Sequence, residues 1–127
     1  MAIQFKMVAK TNSLATPPET NFYPCAVHQG EETLETLANR ISISTSLTEA
    51  DCFGVMYALT NAIGDALANG KIVRIDSLGT FQLTIQGLPA PEAEVRGKSY
   101  IKGNRVVFKP TKRLKSYLKR VNYIRIK

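Results

Sequence analysis

The sequence predicts an α+β fold, with helices in its first half and extended, strongly basic strands in its second half. Apolar residues recur at intervals of three and four between residues 31 and 69, which is the period of amphipathic helices. After Gly70 the pattern changes to β-branched and alternating residues, as is typical of strands. The 127 residues, of which 44% are hydrophobic, suit one domain with a sizeable core.

The first thirty residues carry a strand pattern. Residues 2–9 alternate so that Ile3, Phe5 and Met7 share one face. After a polar connection, residues 22–27 form a second short segment, which Pro24 restricts to a sheet edge or an irregular path. We expect these two pieces to pair with each other or to extend a sheet formed later in the chain.

Two helices are predicted between residues 31 and 69. The first covers about residues 31–43, and its apolar side consists of Leu34, Leu37, Ala38 and Ile41. Thr48 is expected to cap the second helix, and Gly70 to close it, because glycine readily takes the positive φ common just past a helix C terminus. The apolar stripe of the second helix is wider than one short helix can cover. This width predicts a homodimer.

The segment after Gly70 is expected to begin a strand at Ile72 and to bend at residues 77–80. Phe81 then resumes the strand and is expected to point into the core, while Gly79 indicates a bulge, a tight bend or a close backbone approach. From residue 95 a return strand is predicted, with a turn or bulge at Gly103. The residues expected on one face of its first part are Arg96, Lys98, Tyr100 and Lys102. A last helix then starts at residues 110–111 with Thr111 expected near its N-cap, and residues 123–126 add a final short strand.

Charge is distributed very unevenly along the chain. The formal net charge is +7, yet residues 96–127 contain 12 of the 17 Lys and Arg residues and neither Asp nor Glu. Residues 1–95 contain the remaining 5 basic residues and all 10 acidic ones, a net charge of −5. Such asymmetry is typical of a surface that binds nucleic acid or anionic lipid. Lys and Arg on a two-stranded ribbon can follow DNA phosphates and provide affinity with little sequence selectivity.

Residues that would indicate catalysis or metal binding are sparse. His28 has no Cys or His partner at metal-ligand spacing, and Asp76 has no second carboxylate with which to form an acid–base pair. Cys25 and Cys52 are too few for a disulfide framework. The sequence has no apolar run of about 18 residues and no signal segment. We therefore expect a non-enzymatic cytoplasmic protein with no cofactor, metal, membrane or small-molecule substrate.

Four separated motifs resemble the HU/IHF family of bacterial histone-like DNA-binding proteins. The motifs are Ser46–Asp51, Ala66–Gly70, Ile72–Phe81 and Phe108–Lys112, the last followed by Leu114 and Leu118. Within the third motif, Ser77 and Leu78 take the first two places of a signature that reads Gly-Phe-Gly-Thr-Phe in the family. The resemblance covers residues 33–121. The N-terminal extension resembles the HU-like proteins of the Bacteroidetes group.

The resemblance implies an intertwined homodimer in the nucleoid, with a helical base, a β-saddle and shortened β-arms around double-stranded DNA. It divides one HU-like domain, residues 1–127, into a β extension (1–30), a helical hairpin (31–69), a saddle and arm (70–109) and a basic helix and tail (110–127). The expected DNA-binding residues are Arg74, Arg96, Lys98, Lys102, Arg105, Lys109, Lys112 and Arg113. The expected dimer-core residues are Phe53, Met56, Leu59, Ile63, Leu67 and Phe81.

One part of the family pattern is missing. In the family each arm tip carries Arg-Asn-Pro, whose proline wedges between base pairs and helps to bend the duplex. The prolines nearest to that place here are Pro89 and Pro91, without an adjacent Arg or Asn. The sequence therefore favours binding to DNA phosphates over strong bending of the duplex. An alternative is a dimeric protein-interaction or assembly module that has lost DNA wrapping. RNA binding and an enzyme are weaker hypotheses.

Overall fold

A computed structural model describes residues 1–93 and 97–127 of the chain. Its helices and strands are, in order, β1 (Ala2–Asn12), β2 (Glu19–Val27), α1 (Leu34–Ser44), α2 (Glu49–Ala68), β3 (Val73–Ile75), β4 (Gly79–Gly87), a 3₁₀ turn (Gly97–Tyr100), β5 (Ile101–Pro110), α3 (Lys112–Leu118) and β6 (Asn122–Arg125). The α+β class predicted from the sequence is confirmed. The chain divides into two compact units, one formed by Met1–Glu31 with Tyr117–Lys127 and the other by Glu32–Ser116.

The first unit is a three-stranded sheet with the strand order β2-β1-β6. Strands β1 and β2 form an antiparallel hairpin, and β6 runs parallel to β1 beside residues 2–5. Of the two alternatives for the N-terminal strands, pairing with each other is therefore the one observed, and the predicted final strand is present. Pro24 lies on β2, an edge strand, where the missing N–H of proline costs no ladder hydrogen bond. One face of this sheet carries an apolar groove of about 530 Å³, lined by Ile3, Phe5, Met7, Pro24, Ala26 and Tyr123.

Helix α1 begins three residues later than its charge pattern predicts. Thr33 is its N-cap, and the Thr33 hydroxyl accepts a hydrogen bond from the Thr36 backbone N–H at 3.3 Å. The Thr33 N–H donates in return to Oγ1 of Thr36 at 2.7 Å, which completes a capping box. This reciprocal pair satisfies free N–H groups of the first turn, so residues 31–32 stay outside the helix.

Helix α2 has the predicted ends. The Thr48 hydroxyl accepts from the Asp51 N–H at 3.1 Å, which confirms Thr48 as the N-cap. At the other end Gly70 has φ +79° and donates to the Leu67 carbonyl at 3.0 Å. The Lys71 N–H reaches back to the Ala66 carbonyl at 3.0 Å. These two bonds form a Schellman motif, and its left-handed residue explains the glycine.

The second unit also contains an antiparallel sheet, with the strand order β3-β4-β5. The predicted placement of Lys98 and Tyr100 on a strand is wrong, because residues 97–100 form a 3₁₀ turn. The Leu88 N–H donates to the Tyr100 carbonyl at 2.7 Å, which closes the ribbon at this point and leaves Lys98 outside it. Gln86 pairs with Gly103, whereas residue 87 pairs with residue 101. Lys102 is therefore the extra residue of a β-bulge, and it directly precedes Gly103, where the sequence predicts a turn or bulge.

Gly79 allows two strands to approach closely. A Cβ atom at this position would lie 2.5 Å from the Lys109 carbonyl oxygen and 2.5 Å from Cε1 of Phe108. Both distances are shorter than real Cβ contacts, and one of the two groups is backbone that cannot move aside. Close packing of β4 against β5 therefore requires glycine at position 79. A close backbone approach is one of the three explanations that the sequence suggests for this glycine, beside a bulge and a tight bend.

We expect Gly79→Ala to destabilise the protein by about 1–3 kcal/mol, because the added methyl group overpacks the junction of β4 and β5. The free energy of unfolding in urea, at fixed chain concentration, measures this change. Gly103→Ala is the matched control in the same sheet, since its Cβ would meet only Oε1 of Gln86, at 3.8 Å. Equal effects of the two substitutions would contradict the assignment.

Candidate nucleic-acid interface

The β3-β4-β5 sheet brings three of the predicted DNA-binding residues to one face. Arg74 pairs with Thr80 across β3 and β4, and Thr80 pairs with Lys109 across β4 and β5. Directly paired residues project on the same side of a sheet, so this row carries two cations. Arg105 lies four residues before Lys109 on β5 and therefore projects on that side as well. We call the side that carries Arg74, Arg105 and Lys109 the cationic face.

The predicted DNA-binding residues that the structure describes are exposed, and their charges are not neutralised by the described part of the chain. The ion pair found among the described residues joins Nη1 of Arg40, on α1, to Oε1 of Glu32, just before that helix, at 3.1 Å. Arg74, Arg105 and Lys109 form no such pair with any described acid. A cationic side chain without a carboxylate partner keeps its full charge for an external anion.

The remaining predicted cations occupy other positions. Lys102 lies at the bulge of β5 and Lys98 in the 3₁₀ turn, so neither belongs to a regular row of the sheet. Arg96 lies outside the described residues. Lys112 and Arg113 are the first two residues of α3. The sheet thus brings together three of the predicted residues, while Lys98, Lys102, Lys112 and Arg113 lie along its margins or beyond it.

Thr111 determines where α3 begins and hence where its first two cations lie. Its hydroxyl accepts from the Leu114 N–H at 3.3 Å, which makes it the N-cap that the sequence predicts. Its own N–H donates to the Leu78 carbonyl at 3.1 Å, in the turn between β3 and β4. The start of α3 is therefore tied to the end of the sheet from which Lys109 projects.

The ribbon formed by β4 and β5 is long enough to follow a DNA groove. Its pairing extends from Gly79 opposite Pro110 to Gly87 opposite Ile101. Nine residues of strand at about 3.4 Å each span roughly 30 Å. This length corresponds to about nine base pairs of duplex. The connection beyond the ribbon contains Pro89 and Pro91.

The opposite face of the same sheet is apolar and incompletely covered. Its side chains are Val73, Phe81, Leu83, Ile85, Val106 and Phe108. The rings of Phe81 and Phe108 pack against each other with centroids 4.9 Å apart. Phe81 is half-buried, but Phe108 is 41% exposed and Ile85 is 69% exposed. We call this side the apolar face.

Helix α2 shows the same excess of apolar surface. The buried hydrophobic residues of the described chain are Ala38 on α1 and Cys52 and Leu67 on α2. Of the predicted dimer-core residues on α2, Leu67 is buried and Met56 and Ile63 are half-buried. Phe53 and Leu59 are 37% and 48% exposed, on opposite flanks of the buried stripe. The Phe53 ring stacks on Tyr57 with a centroid distance of 6.3 Å.

The comparison with known families identifies the chain. The model of the HU-HIG family, described as an HU domain fused to a wHTH, Ig or glycine-rich motif, matches residues 1–125. The chain belongs to the HU-HIG family. Membership confirms the HU-like resemblance that the four sequence motifs indicate. No curated protein matches this HU-HIG sequence.

Two solved structures resemble the HU-HIG chain in fold. The crystal structure of a candidate bacterial DNA-binding protein from Bacteroides vulgatus superposes with a TM-score of 0.67 at 13% identity. The match covers 99% of this chain and 50% of that one, so the HU-HIG chain spans about half the length of that protein. An HU–DNA cocrystal structure from Anabaena superposes with a TM-score of 0.51 at 16% identity, covering 70% of this chain and 99% of that one.

The sequence predictions missed most of the apolar face of this HU-HIG protein. Only Phe81 was expected to contribute to the dimer core from that sheet, although Leu83 and Ile85 follow it at intervals of two. Val106 and Phe108 repeat the same interval on β5. The signal was therefore present as two alternating runs, and only the register shows that they lie side by side.

Proposed function

We propose that this HU-HIG chain is a non-enzymatic protein that binds double-stranded DNA as a homodimer, with little sequence selectivity. The observation that carries the proposal is the cationic face, where Arg74, Arg105 and Lys109 project together without carboxylate partners among the described residues. Contacts from such side chains go to phosphates, which are the same for every sequence. Release of the counterions condensed on DNA supplies the free energy of binding.

The apolar face and the flanks of α2 support the dimer. Large apolar side chains rarely remain exposed in contiguous patches unless a partner covers them. Phe53 and Leu59 on the helix, and Phe108 on the sheet, provide such patches on two different elements. A symmetric partner would cover both with the same residues from a second copy. The intertwined arrangement, with a helical base, a saddle and short arms, is the form of dimer that the HU resemblance implies.

The wider assignment follows from the family. Membership of the HU-HIG family supports a binding role in place of catalysis, with no cofactor or small-molecule substrate. It also supports localisation to the nucleoid in the cytoplasm. In the part of the chain that the structure describes, no helix is both long and apolar enough to cross a membrane. The N-terminal sheet favours a relationship with the HU-like proteins of the Bacteroidetes group. We treat residues 1–127 as a single HU-like domain with its four predicted segments.

A salt titration tests the function. We expect the chain to bind a random 30-base-pair duplex, with a plot of log K against log salt concentration whose slope is about −5 per protomer, as five or six phosphate contacts require. Fluorescence anisotropy of a labelled duplex measures the affinity at each salt concentration. Scrambled duplexes of equal length serve as the control for sequence selectivity. Absence of binding at low salt, or a slope near zero, would overturn the proposal.

A second function is favoured by the groove on the first sheet. The groove of about 530 Å³ is lined by apolar side chains, including Phe5, Met7 and Tyr123, and such a surface suits a protein partner. The chain would then be a dimeric assembly module that has lost DNA wrapping. Charge reversal at Lys98, Lys102 and Arg105 would leave binding of such a partner intact. Loss of partner binding in this variant would exclude the second function.

A further inference from the structure

The hairpin of β1 and β2 has the form of a second free ribbon. Strand β6 pairs with β1 only as far as Phe5, so from Lys6 to Asn12 strand β1 pairs with β2 alone. These seven residues span about 24 Å at 3.4 Å per residue. The ribbon therefore matches about seven base pairs of duplex.

One face of this ribbon carries two lysines. Lys6, Val8 and Lys10 alternate onto the same side of β1, and Tyr23 joins them because it pairs with Val8. Lys10 Nζ lies 5.5 Å from the centroid of the Tyr23 ring, a cation–π contact that holds the ammonium group at the surface. Four residues of strand separate the lysines by about 14 Å, which equals four nucleotide steps along one DNA strand.

The tip of the hairpin presents apolar groups to solvent. Leu14 is 92% exposed, and its N–H donates to Oδ1 of Asn12 at 3.1 Å. The Ala15 N–H donates to the Asn12 carbonyl at 3.4 Å, so the turn is held from one residue at the end of β1. Pro17 and Pro18 follow within the same connection. Leucine and proline are among the residues that minor-groove proteins insert between base steps.

Electrostatics of the first unit favour an anionic partner. Residues 1–31 and 117–127 contain six Lys and Arg residues and two acidic residues, Glu19 and Glu31. A lone exposed leucine is ordinary by itself. Leu14, however, lies at the end of a two-stranded ribbon with lysines on one face, in a basic unit. This position favours a role for Leu14 in contact with an anionic partner.

We propose that the β1–β2 hairpin is a second DNA-contacting ribbon of this protein. Lys6 and Lys10 contact phosphates, and the tip with Leu14 enters the minor groove as an apolar wedge. This inference rests on the proposed function and extends the DNA contact to a part of the chain outside the cationic face. It also supplies a wedge from an element other than the β4–β5 ribbon, whose connection departs from the family's Arg-Asn-Pro tip.

The test separates the lysines from the tip. In the full chain, we expect Lys6→Gln with Lys10→Gln to reduce the salt-dependence slope by about 1.8 per protomer, since each phosphate contact contributes about 0.9. We expect Leu14→Ser to leave that slope unchanged and to reduce the bend of a doubly labelled duplex, measured by fluorescence energy transfer. Arg40→Gln is the control for the lysines, and Leu47→Ser, in the turn between α1 and α2, is the control for the tip.

The outcomes distinguish this inference from the proposed function. A wild-type chain that fails to bind duplex overturns the proposed function before any variant is compared. Wild-type binding with an unchanged slope in the double lysine variant, and an unchanged bend in Leu14→Ser, overturns the inference alone. A hairpin variant that loses its dimer in light scattering while keeping its slope and bend makes the hairpin an assembly element, and this result also overturns the inference.

Discussion

Replacing Arg74, Arg105 and Lys109 together by glutamine is expected to change the salt-dependence slope from about −5 to about −2 per protomer. Each phosphate contact contributes about 0.9 to the slope, and the three side chains share the cationic face of one sheet. With the two lines meeting at 1 M salt, a slope difference of about 2.7 corresponds to a decrease in affinity on the order of 10³-fold at 50 mM salt. Anisotropy titrations over a range of salt concentrations measure both quantities.

Two controls make this result specific to charge on the cationic face. Arg40→Gln removes an arginine on α1 that is already paired with Glu32, so DNA affinity should not change. Arg74→Lys with Arg105→Lys keeps the charges and should keep the slope, because phosphate contacts of this kind depend on charge more than on shape. A triple glutamine variant with the wild-type slope would show that DNA binds elsewhere on the chain.

Replacing Phe53 and Leu59 by glutamine is expected to separate the dimer. In the isolated chain both side chains are more than one third exposed, so their replacement should cost the fold little. In a symmetric dimer each side chain is counted twice, but only the 37% of Phe53 and 48% of Leu59 that is exposed remains to be buried. At about 1.5–3 kcal/mol for burying a fully exposed side chain, the two copies together lose about 3–5 kcal/mol. The dissociation constant of the dimer should therefore rise by about 10²- to 10³-fold. Analytical ultracentrifugation over a range of chain concentrations measures this shift.

The control for the dimer lies on the same helix. Ala58 is the neighbour of Leu59 and is exposed on the side of α2 that also carries Asp65. Ala58→Gln should leave the dimer intact, because that side of the helix is polar and faces solvent. The proposed dimer would be contradicted if Ala58→Gln and the double variant had the same association state, with circular dichroism showing that both are folded.

Local features of this protein were predictable because a few neighbouring residues decide them. Thr48 and Gly70 identify the ends of α2 through bonds that span three to five residues. The start of α1 was placed too early because acidic residues suit both the first turn and the segment before it. The capping box at that end uses Thr36 in the place where Glu or Gln is usual, so its signal in the sequence is weak.

The return strand was harder to predict because its course depends on a partner far away in the chain. An alternating pattern in residues 96–102 is equally compatible with a strand and with a connection. The hydrogen bond from the Leu88 N–H to the Tyr100 carbonyl decides between them, and Lys102 then becomes a bulge residue. A shift of one residue in register moves every later side chain to the other face, so the cationic face required the register.

The α+β class, the caps of α2, the segregation of positive charge and the HU-like motifs were predictable from the sequence. These properties depend on composition and on short-range periodicity. Strand pairing in three dimensions sets which cations share a face, because Arg74 and Lys109 are distant in sequence and are brought together by pairing through β4. It also decided why Gly79 is glycine and that β1 and β2 form a free ribbon. Both depend on contacts between strands, which no local pattern specifies.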